Sequence, residues 1–492
     1  MADLVLIQPR TEIFDSLKSG PTLPLSLLSA VRLAVKEFDV SLVDQRIDAD
    51  WRSTLEKAIR NGAWATAITS VTGRQLIYAA QAAQLSKKLG AKVIWGGVHA
   101  TLLDWQVLKD GLADIVVRGE GEVTLLELLH ALKQETPLDA VQGISFLKEG
   151  RLVRTSDRKF IDLASMPDVP YQLAGEAYVF SRKGRKALYF ETSRGCPNAC
   201  DYCYNTAFHK RRWRPEPGAS VLGRLTRLKR NFPQVGHISI VDDNFLADRK
   251  RALEIASGLL KLDLGLTYQV QGANVNDVDR LSEHDLHLLK RSGCVRLDMG
   301  VESGSKKIIA QMNKRLDLGA VQRVNKKLKE HGIVPWYNFM AGFPGETKED
   351  LYSTLSLLLD LTRRNPDALV SPIYCLAPYP GTNMYSKAVD LGVEFPKTTR
   401  DWGRFSLDKP LAPGMSEVDI ETLASLYFFS IFVDKKIDEY DTFPGIALAA
   451  RLYRPIARFR LSRLLLKPAP EKTIFEILVE LKQKAICLRE HL

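Results

Sequence analysis

Three of the chain's six cysteines, Cys196, Cys200 and Cys203, fall within one short run, Arg194-Gly-Cys-Pro-Asn-Ala-Cys-Asp-Tyr-Cys-Tyr-Asn205, spaced C-x3-C-x2-C. Thiols this close along the chain can wrap one small inorganic centre. An iron–sulfur cubane normally takes four thiolates. Three leave one iron with an open position, as a catalytic metal site requires. Gly195 and Pro197 permit a sharp loop, and the rings of Tyr202 and Tyr204 can shield a cluster from water. Two plainer readings compete: core thiols that lie close by coincidence, and a zinc knuckle completed by His209, the nearest further ligand. Cys294, Cys375 and Cys487 stand on apolar stretches and read as core residues. Half of the cysteines in one motif is no disulfide framework and suits a reducing compartment.

The elements that must hold this loop divide the chain into four stretches. Residues 1–140 alternate continuous apolar strands (Leu4–Ile7, Val40–Val43, Ala65–Thr69, Lys92–Trp95, Asp114–Val117) with amphipathic stretches such as Leu76–Leu89. That pattern predicts a doubly wound parallel sheet, with ligands off the carboxyl ends of the strands. The residues there are Gln8-Pro-Arg10, Ser70-Val-Thr72, Gly96-Gly97-Val-His99 and Arg118-Gly119-Glu120-Gly-Glu122. Glycine pairs let backbone approach a bulky ligand, and hydroxyls can line a polar rim. Residues 141–184 read as a connector containing the hairpin Gly143–Val153. From 185 to 395, six strand–helix repeats predict an open (β/α)6 partial TIM barrel with function at the strands' carboxyl ends. The second strand ends in Asp242-Asp243-Asn244, the fourth in Gly300-Val-Glu302-Ser303-Gly304, and the fifth in Gly342-Phe-Pro-Gly345-Glu346-Thr347. The sixth ends in Pro378-Tyr-Pro-Gly-Thr382. Residues 396–492 read as a helical domain with helices over 417–436, 443–466 and 471–491.

The cysteine run, followed by these strand-end segments in this order, resembles the radical S-adenosylmethionine (SAM) superfamily. The N-terminal order PLSLLSA, SVT, WGGVHAT, VVRGEGE resembles the cobalamin-binding domain that precedes the barrel in the B12-binding branch of that superfamily. That branch includes class B radical SAM methyltransferases and enzymes like the anaerobic magnesium-protoporphyrin ester cyclase. The resemblance implies a Rossmann-like cobalamin domain before the barrel. It also implies a [4Fe-4S] cluster on Cys196, Cys200 and Cys203, with SAM chelated at the open iron. By the same resemblance, Glu302 and Ser303 would hold the ribose or aminocarboxylate of SAM, Asp243 would lie near the SAM or substrate edge, and the Gly342–Gly345 turn would approach the adenine. Ser70, Thr72, Gly96, Gly97, His99, Gly119 and Glu120 would line cobalamin. The histidine signature that places an imidazole under cobalt in other cobalamin proteins is missing from Pro9-Arg-Thr-Glu12, so a hydrogen bond to the corrin edge, or a structural role, suits His99 better than cobalt ligation. The third strand, ending Gln271-Gly-Ala-Asn274, lacks the arginine often found there.

The activity implied is methylation of an unactivated carbon in a small-molecule or lipid substrate, through a 5′-deoxyadenosyl radical and methylcobalamin. An oxidative cyclase or a rearrangement enzyme would use the same parts, and a non-catalytic cobalamin sensor is the reading of another class. A methylthiotransferase is disfavoured because no cysteine precedes Cys196. The implied partners are the substrate and a reductant such as flavodoxin or ferredoxin.

Composition is that of an ordinary globular protein of two or three domains. The expectation is a cytoplasmic chain that starts on a strand rather than a signal peptide and has no apolar run long enough to span a bilayer. The net charge of +11 is uneven: from Ile446 to Leu492 there are ten Lys or Arg against four Asp or Glu. Arginines interleaved with leucine, isoleucine and phenylalanine over 451–466 suit either an ordinary surface helix or peripheral contact with the inner face of a membrane. Nucleic acid is not expected, since no binding module is recognisable. The run His209–Arg214 reads as solvated, with Trp213 packed on the barrel.

Overall fold

The computed structural model describes residues 2–11, 22–175, 178–182, 184–404, 415–439 and 444–475. Glu12 and the helix expected beyond residue 475 lie outside the described residues. The chain forms two compact units. The first comprises residues 1–180, 207–210 and 395–406, and the second comprises 181–206, 211–394 and 407–492.

The first unit is a seven-stranded sheet in the order β2-β1-β3-β4-β5-β6-β7. Its strands are β1 (Leu4–Gln8), β2 (Val40–Asp44), β3 (Ala65–Thr69), β4 (Lys92–Gly96), β5 (Ile115–Val117), β6 (Ile144–Lys148) and β7 (Arg151–Arg154). The first five pair in parallel, and every residue of β1 is buried. Burial on both faces is what a continuous apolar run in a doubly wound sheet requires. The order 2-1-3-4-5 reverses between β1 and β3, and the crevice at such a switch point is where open α/β sheets bind ligands. The hairpin read as part of a connector instead extends this sheet, with β6 and β7 adding antiparallel strands beyond β5. A second addition comes from far down the chain. Residues 395–406 pack here, where the amide of Thr399 donates to Asp110 (2.6 Å) and the Gln106 amide to the carbonyl of Pro396 (3.2 Å).

The second unit carries six strand positions in consecutive parallel order: β8 (Arg185–Phe190), β9 (Val235–Ile240), β10 (Thr267–Ala273), β11 (Cys294–Glu302), β12 (Val334–Ala341) and the split pair β13 (Leu369–Val370) and β14 (Tyr374–Cys375). The helices α1 (Gly218–Asn231), α2 (Arg249–Leu262), α3 (Glu283–Arg291), α4 (Leu318–Glu330) and α5 (Lys348–Arg364) make the crossovers. This is the open (β/α)6 partial barrel that the repeats predict. α5 begins with the Thr347–Asp350 capping box, which satisfies two of its orphan amides. The single strand expected over 368–375 breaks because Ser371–Ile373 takes other partners. The Ser371 hydroxyl accepts from the amide of Phe339 (3.1 Å), and the amide of Ile373 donates to the Ser430 hydroxyl (2.8 Å). The helix expected over 417–436 is shorter, α6 (Ile420–Ser430). It ends where the buried Lys436 ammonium donates to the carbonyls of Ser430 (2.7 Å) and Ile431 (2.9 Å). α7 (Pro444–Ser462) follows.

Candidate functional site

The cysteine loop leaves β8 and is tied down on three sides. Asp243, after β9, accepts from the amide of Gly195 (2.7 Å), the Asn205 amide (2.8 Å) and the Tyr204 hydroxyl (3.2 Å). Its neighbour Asp242 is fully buried, accepts from the amide and hydroxyl of Thr192 and the hydroxyl of Ser193, and is pushed up to about 6 by that burial. Asp201, between two of the cysteines, accepts from Lys387 (2.8 Å), Asn383 (3.1 Å) and Asn313 (3.5 Å). Its backbone bonds Met312 and Met384. Gly272 in β10 is glycine because a Cβ there would strike the carbonyl backbone of Asp242 and Asp243. The third strand therefore passes directly under the loop's anchor.

All three thiols are free and partly buried. Burial raises each, Cys203 to about 12, and the charge of neighbouring thiolates adds to the rise at Cys196 and Cys203, that of Glu302 at Cys200. Among the described residues no three His, Cys, Asp or Glu side chains converge on a single-ion site. His209, the fourth ligand that a knuckle would use, is buried between Phe160 and Phe208. The donor set fits a multi-iron cluster held by three thiolates.

Beside the loop lies a charged group that the motif spacing does not reveal. Glu302, at the end of β11, has φ of +68°, a conformation that costs energy for a residue with a Cβ and tends to occur at functional sites. One oxygen of this buried carboxylate accepts from the Lys314 ammonium (2.8 Å) and the Tyr202 hydroxyl (2.9 Å). Lys314 also donates to Tyr202 (3.3 Å). Lys314 is itself buried, and although burial opposes its charge, Glu302 and the nearby cysteines hold its pKa above the ordinary lysine value. Gly300 leaves the space this group fills, since a Cβ there would collide with Glu302 and Lys314. Ser303 faces inward, its hydroxyl 2.9 Å from that of Thr354 and accepting from the amide of Ser305 (3.1 Å). Gly342 and Gly345 have positive φ, and their amides donate to Glu346 (2.6 Å) and to the carbonyl of Met415 (2.8 Å). Glu346 is buried with one oxygen on the Gly342 and Phe343 amides and the other without a partner among the described residues, and burial pushes it up to about 7.

In the first unit, the loops at the carboxyl ends of β3, β4 and β5 gather the other expected residues. Gly97 has φ of +90°, and a Cβ there would press on the Thr69 hydroxyl and the Ser70 backbone. Gly96 sits against Val117. The Ser70 hydroxyl accepts from the Trp95 indole (2.9 Å), and the Thr72 hydroxyl lies 3.1 Å from Nδ1 of His99. Burial drives His99 down to about 3, so it is neutral. Among the described residues its Nε2 has no partner, nor has the indole nitrogen of Trp402, whose ring meets the imidazole edge-on at 6.1 Å. Gly119 donates its amide to Thr101 (3.0 Å), and Glu120 accepts from the amide of Ile161 (3.0 Å). Open space beside Gly119 and unsatisfied buried nitrogens fit a bulky ligand rich in amide groups, as corrin side chains are. Lys314 and Trp402 escaped motif reading. The first sits in no recognisable pattern, and the second meets His99 only through the return of residues 395–406.

A profile of the Radical SAM superfamily matches residues 190–358, and one of the B12 binding domain matches residues 17–129. The chain therefore carries a B12 binding domain ahead of a Radical SAM domain. It is 25% identical over 412 residues to an uncharacterized methyltransferase of Pyrococcus horikoshii, covering 83% of this chain and 87% of that one. It is 28% identical over 315 residues to the anaerobic magnesium-protoporphyrin IX monomethyl ester cyclase of Rubrivivax gelatinosus, covering 62% of this chain and 55% of the cyclase. The match thus spans about half of the cyclase's length. The solved structure of the cobalamin-dependent SAM radical enzyme OxsB, with aqua-cobalamin and SAM bound, has the same fold, with a TM-score of 0.73, 19% identity, and coverage of 99% of this chain and 75% of that one.

Proposed function

We propose that this B12-binding radical SAM enzyme methylates an unactivated carbon of a small-molecule or lipid substrate. The observation that carries the reading is a three-thiol loop, tied to a barrel, in one chain with a doubly wound domain whose strand-end loops hold an open glycine, Gly119, and the unpartnered buried Nε2 of His99. When bound, the cluster and SAM supply a 5′-deoxyadenosyl radical, and cobalamin supplies a transferable methyl group, which together suit a carbon that acid–base chemistry cannot activate.

In this reading Cys196, Cys200 and Cys203 hold three irons. Glu302 takes the SAM ammonium, a role supported by its already accepting the ammonium of Lys314. Ser303 keeps the Glu302 turn in shape from behind. The Gly342–Gly345 backbone faces the adenine, and Asp243 positions the cysteine loop at the SAM edge. Ser70, Thr72, Gly96, Gly97, His99, Gly119 and Glu120 line cobalamin, with His99 and Trp402 offering one neutral acceptor or donor each. The reductant is a one-electron carrier such as flavodoxin or ferredoxin, in a cytoplasmic setting that keeps the thiols reduced.

The test uses the anaerobically reconstituted full chain, SAM labelled at its methyl group, cobalamin and a reductant. Expected are 5′-deoxyadenosine and transfer of the label to cobalamin. If 5′-deoxyadenosine forms while cobalamin never acquires the label, the cyclase or rearrangement reading, favoured by the similarity to the ester cyclase, replaces methylation. If an intact cluster yields no 5′-deoxyadenosine at all, the chain is a sensor.

A further inference from the structure

α7 has one face packed into its own unit. Ala450, Ala457 and Leu461 are buried, and Tyr453 packs against Phe428 and Phe432. Arg458 donates inward to Thr362 and to the carbonyls of Leu359 and Val433. That contact fixes the helix, yet α7 carries a second apolar face. Leu448, Leu452, Ile456 and Phe459 are 57, 70, 51 and 58% exposed. Their spacing of four, four and three residues lines them along one side. Leu465 and Ile474, after the helix, are exposed as well. Single exposed hydrophobes are ordinary, but an aligned stripe marks an interaction surface.

Charge indicates what covers it. Of the seven Lys or Arg between residues 444 and 475, Arg458 points inward, Arg460 engages Glu471, the one acid of the stretch, and Lys467 pairs with Asp419 and Glu421, whereas Arg451 and Arg463 are exposed beside the stripe. Arg463 extends the exposed side one turn beyond Phe459. α7 is not long and apolar enough to cross a membrane. A second copy, joined by a two-fold axis, would bring the same arginine-rich helix against this one. Lipid phosphates meet arginine with opposite charge, and acyl chains accept the leucine and phenylalanine side chains.

We propose that α7 docks the enzyme on an anionic membrane surface, lying in the interface with Leu448, Leu452, Ile456 and Phe459 toward the acyl region. The inference is independent of whether the enzyme methylates. It is tested by floating the full chain with vesicles of phosphatidylcholine alone or mixed with phosphatidylglycerol. Expected is binding to the mixed vesicles, weakened by salt. The double substitution Leu452→Ser/Phe459→Ser lowers that binding by about tenfold or more, with an unchanged melting temperature. Arg463→Glu reduces binding to mixed vesicles alone. Failure to float with mixed vesicles overturns the proposal. So does flotation indifferent to the double substitution, or self-association in sedimentation velocity that this substitution abolishes.

Discussion

Around Cys200 the buried charges are matched. Asp201 meets Lys387, Glu302 meets Lys314, and Asp243 takes three donors from the loop it anchors. At the carboxyl edge of the N-terminal sheet, His99 is neutral, the hydroxyls of Ser70 and Thr72 have one ring partner each, and Nε2 of His99 and the indole nitrogen of Trp402 have no partner among the described residues. The two surfaces are prepared for different guests. A cluster with an attached zwitterion needs fixed charges that do not move as it binds. A large ligand edged with amides needs clearance and a few unspent hydrogen-bonding atoms, because a charge buried under it would have no counter-ion. One surface is preorganised by ion pairs and the other by backbone shape.

The largest effect expected on this contrast comes from the loop itself. Cys200→Ala should abolish cluster absorbance and 5′-deoxyadenosine formation while leaving cobalamin uptake intact, measured by iron content and by cobalamin absorbance of the purified protein. Concurrent loss of cobalamin uptake would mean that the two surfaces are not independent. A smaller effect is expected from the charged group. Glu302→Gln leaves the buried Lys314 ammonium unpaired, which should cost about 3–5 kcal/mol in denaturant unfolding. Adding Lys314→Met should restore most of that stability without restoring SAM binding. If the double variant binds SAM as the native chain does, Glu302 is a structural partner of Lys314 and nothing more.

Much of this was legible in the sequence. Strands such as Leu4–Gln8, buried on both faces, must be continuously apolar, and the cysteine spacing, the Thr347–Asp350 cap and the Gly342–Gly345 turn are local features. What escaped depends on contacts distant in sequence. Nothing near Lys314 announces that its ammonium will be buried against Glu302. Trp402 reaches His99 because residues 395–406 return to the first unit, and the segment's own residues do not signal it. The break at Ser371–Ile373 follows from a hydroxyl on another helix, Ser430, that replaces a ladder partner. Asp243, expected at the SAM edge, has its carboxylate occupied by the cysteine loop, a role apparent only once β9 and the loop are side by side.

The smallest predicted effect separates the two units by the sign of their response to pH. His99 titrates near 3 when folded against an ordinary 6.5. Its unfolded imidazole takes up a proton below 6.5 while the folded one does not. The stability linked to it is therefore full above that pH and falls on acidification, by about 2 kcal/mol between pH 6.5 and 5. Glu346 is raised to about 7 from 4.5, so its linked stability is full below 4.5. That stability is lost as the pH rises toward 7, because the unfolded carboxyl ionises first; the loss is about 2 kcal/mol between pH 4.5 and 6. Urea unfolding of His99→Gln and Glu346→Gln, each against the native chain at pH 5 and 6.5, should give differences that change with pH in opposite directions. A difference for Glu346→Gln that does not change between pH 5 and 6.5 would mean that its carboxyl reaches solvent through the unpartnered oxygen and keeps its ordinary value, and the contrast between the two surfaces would then rest on Glu302 and Lys314 alone.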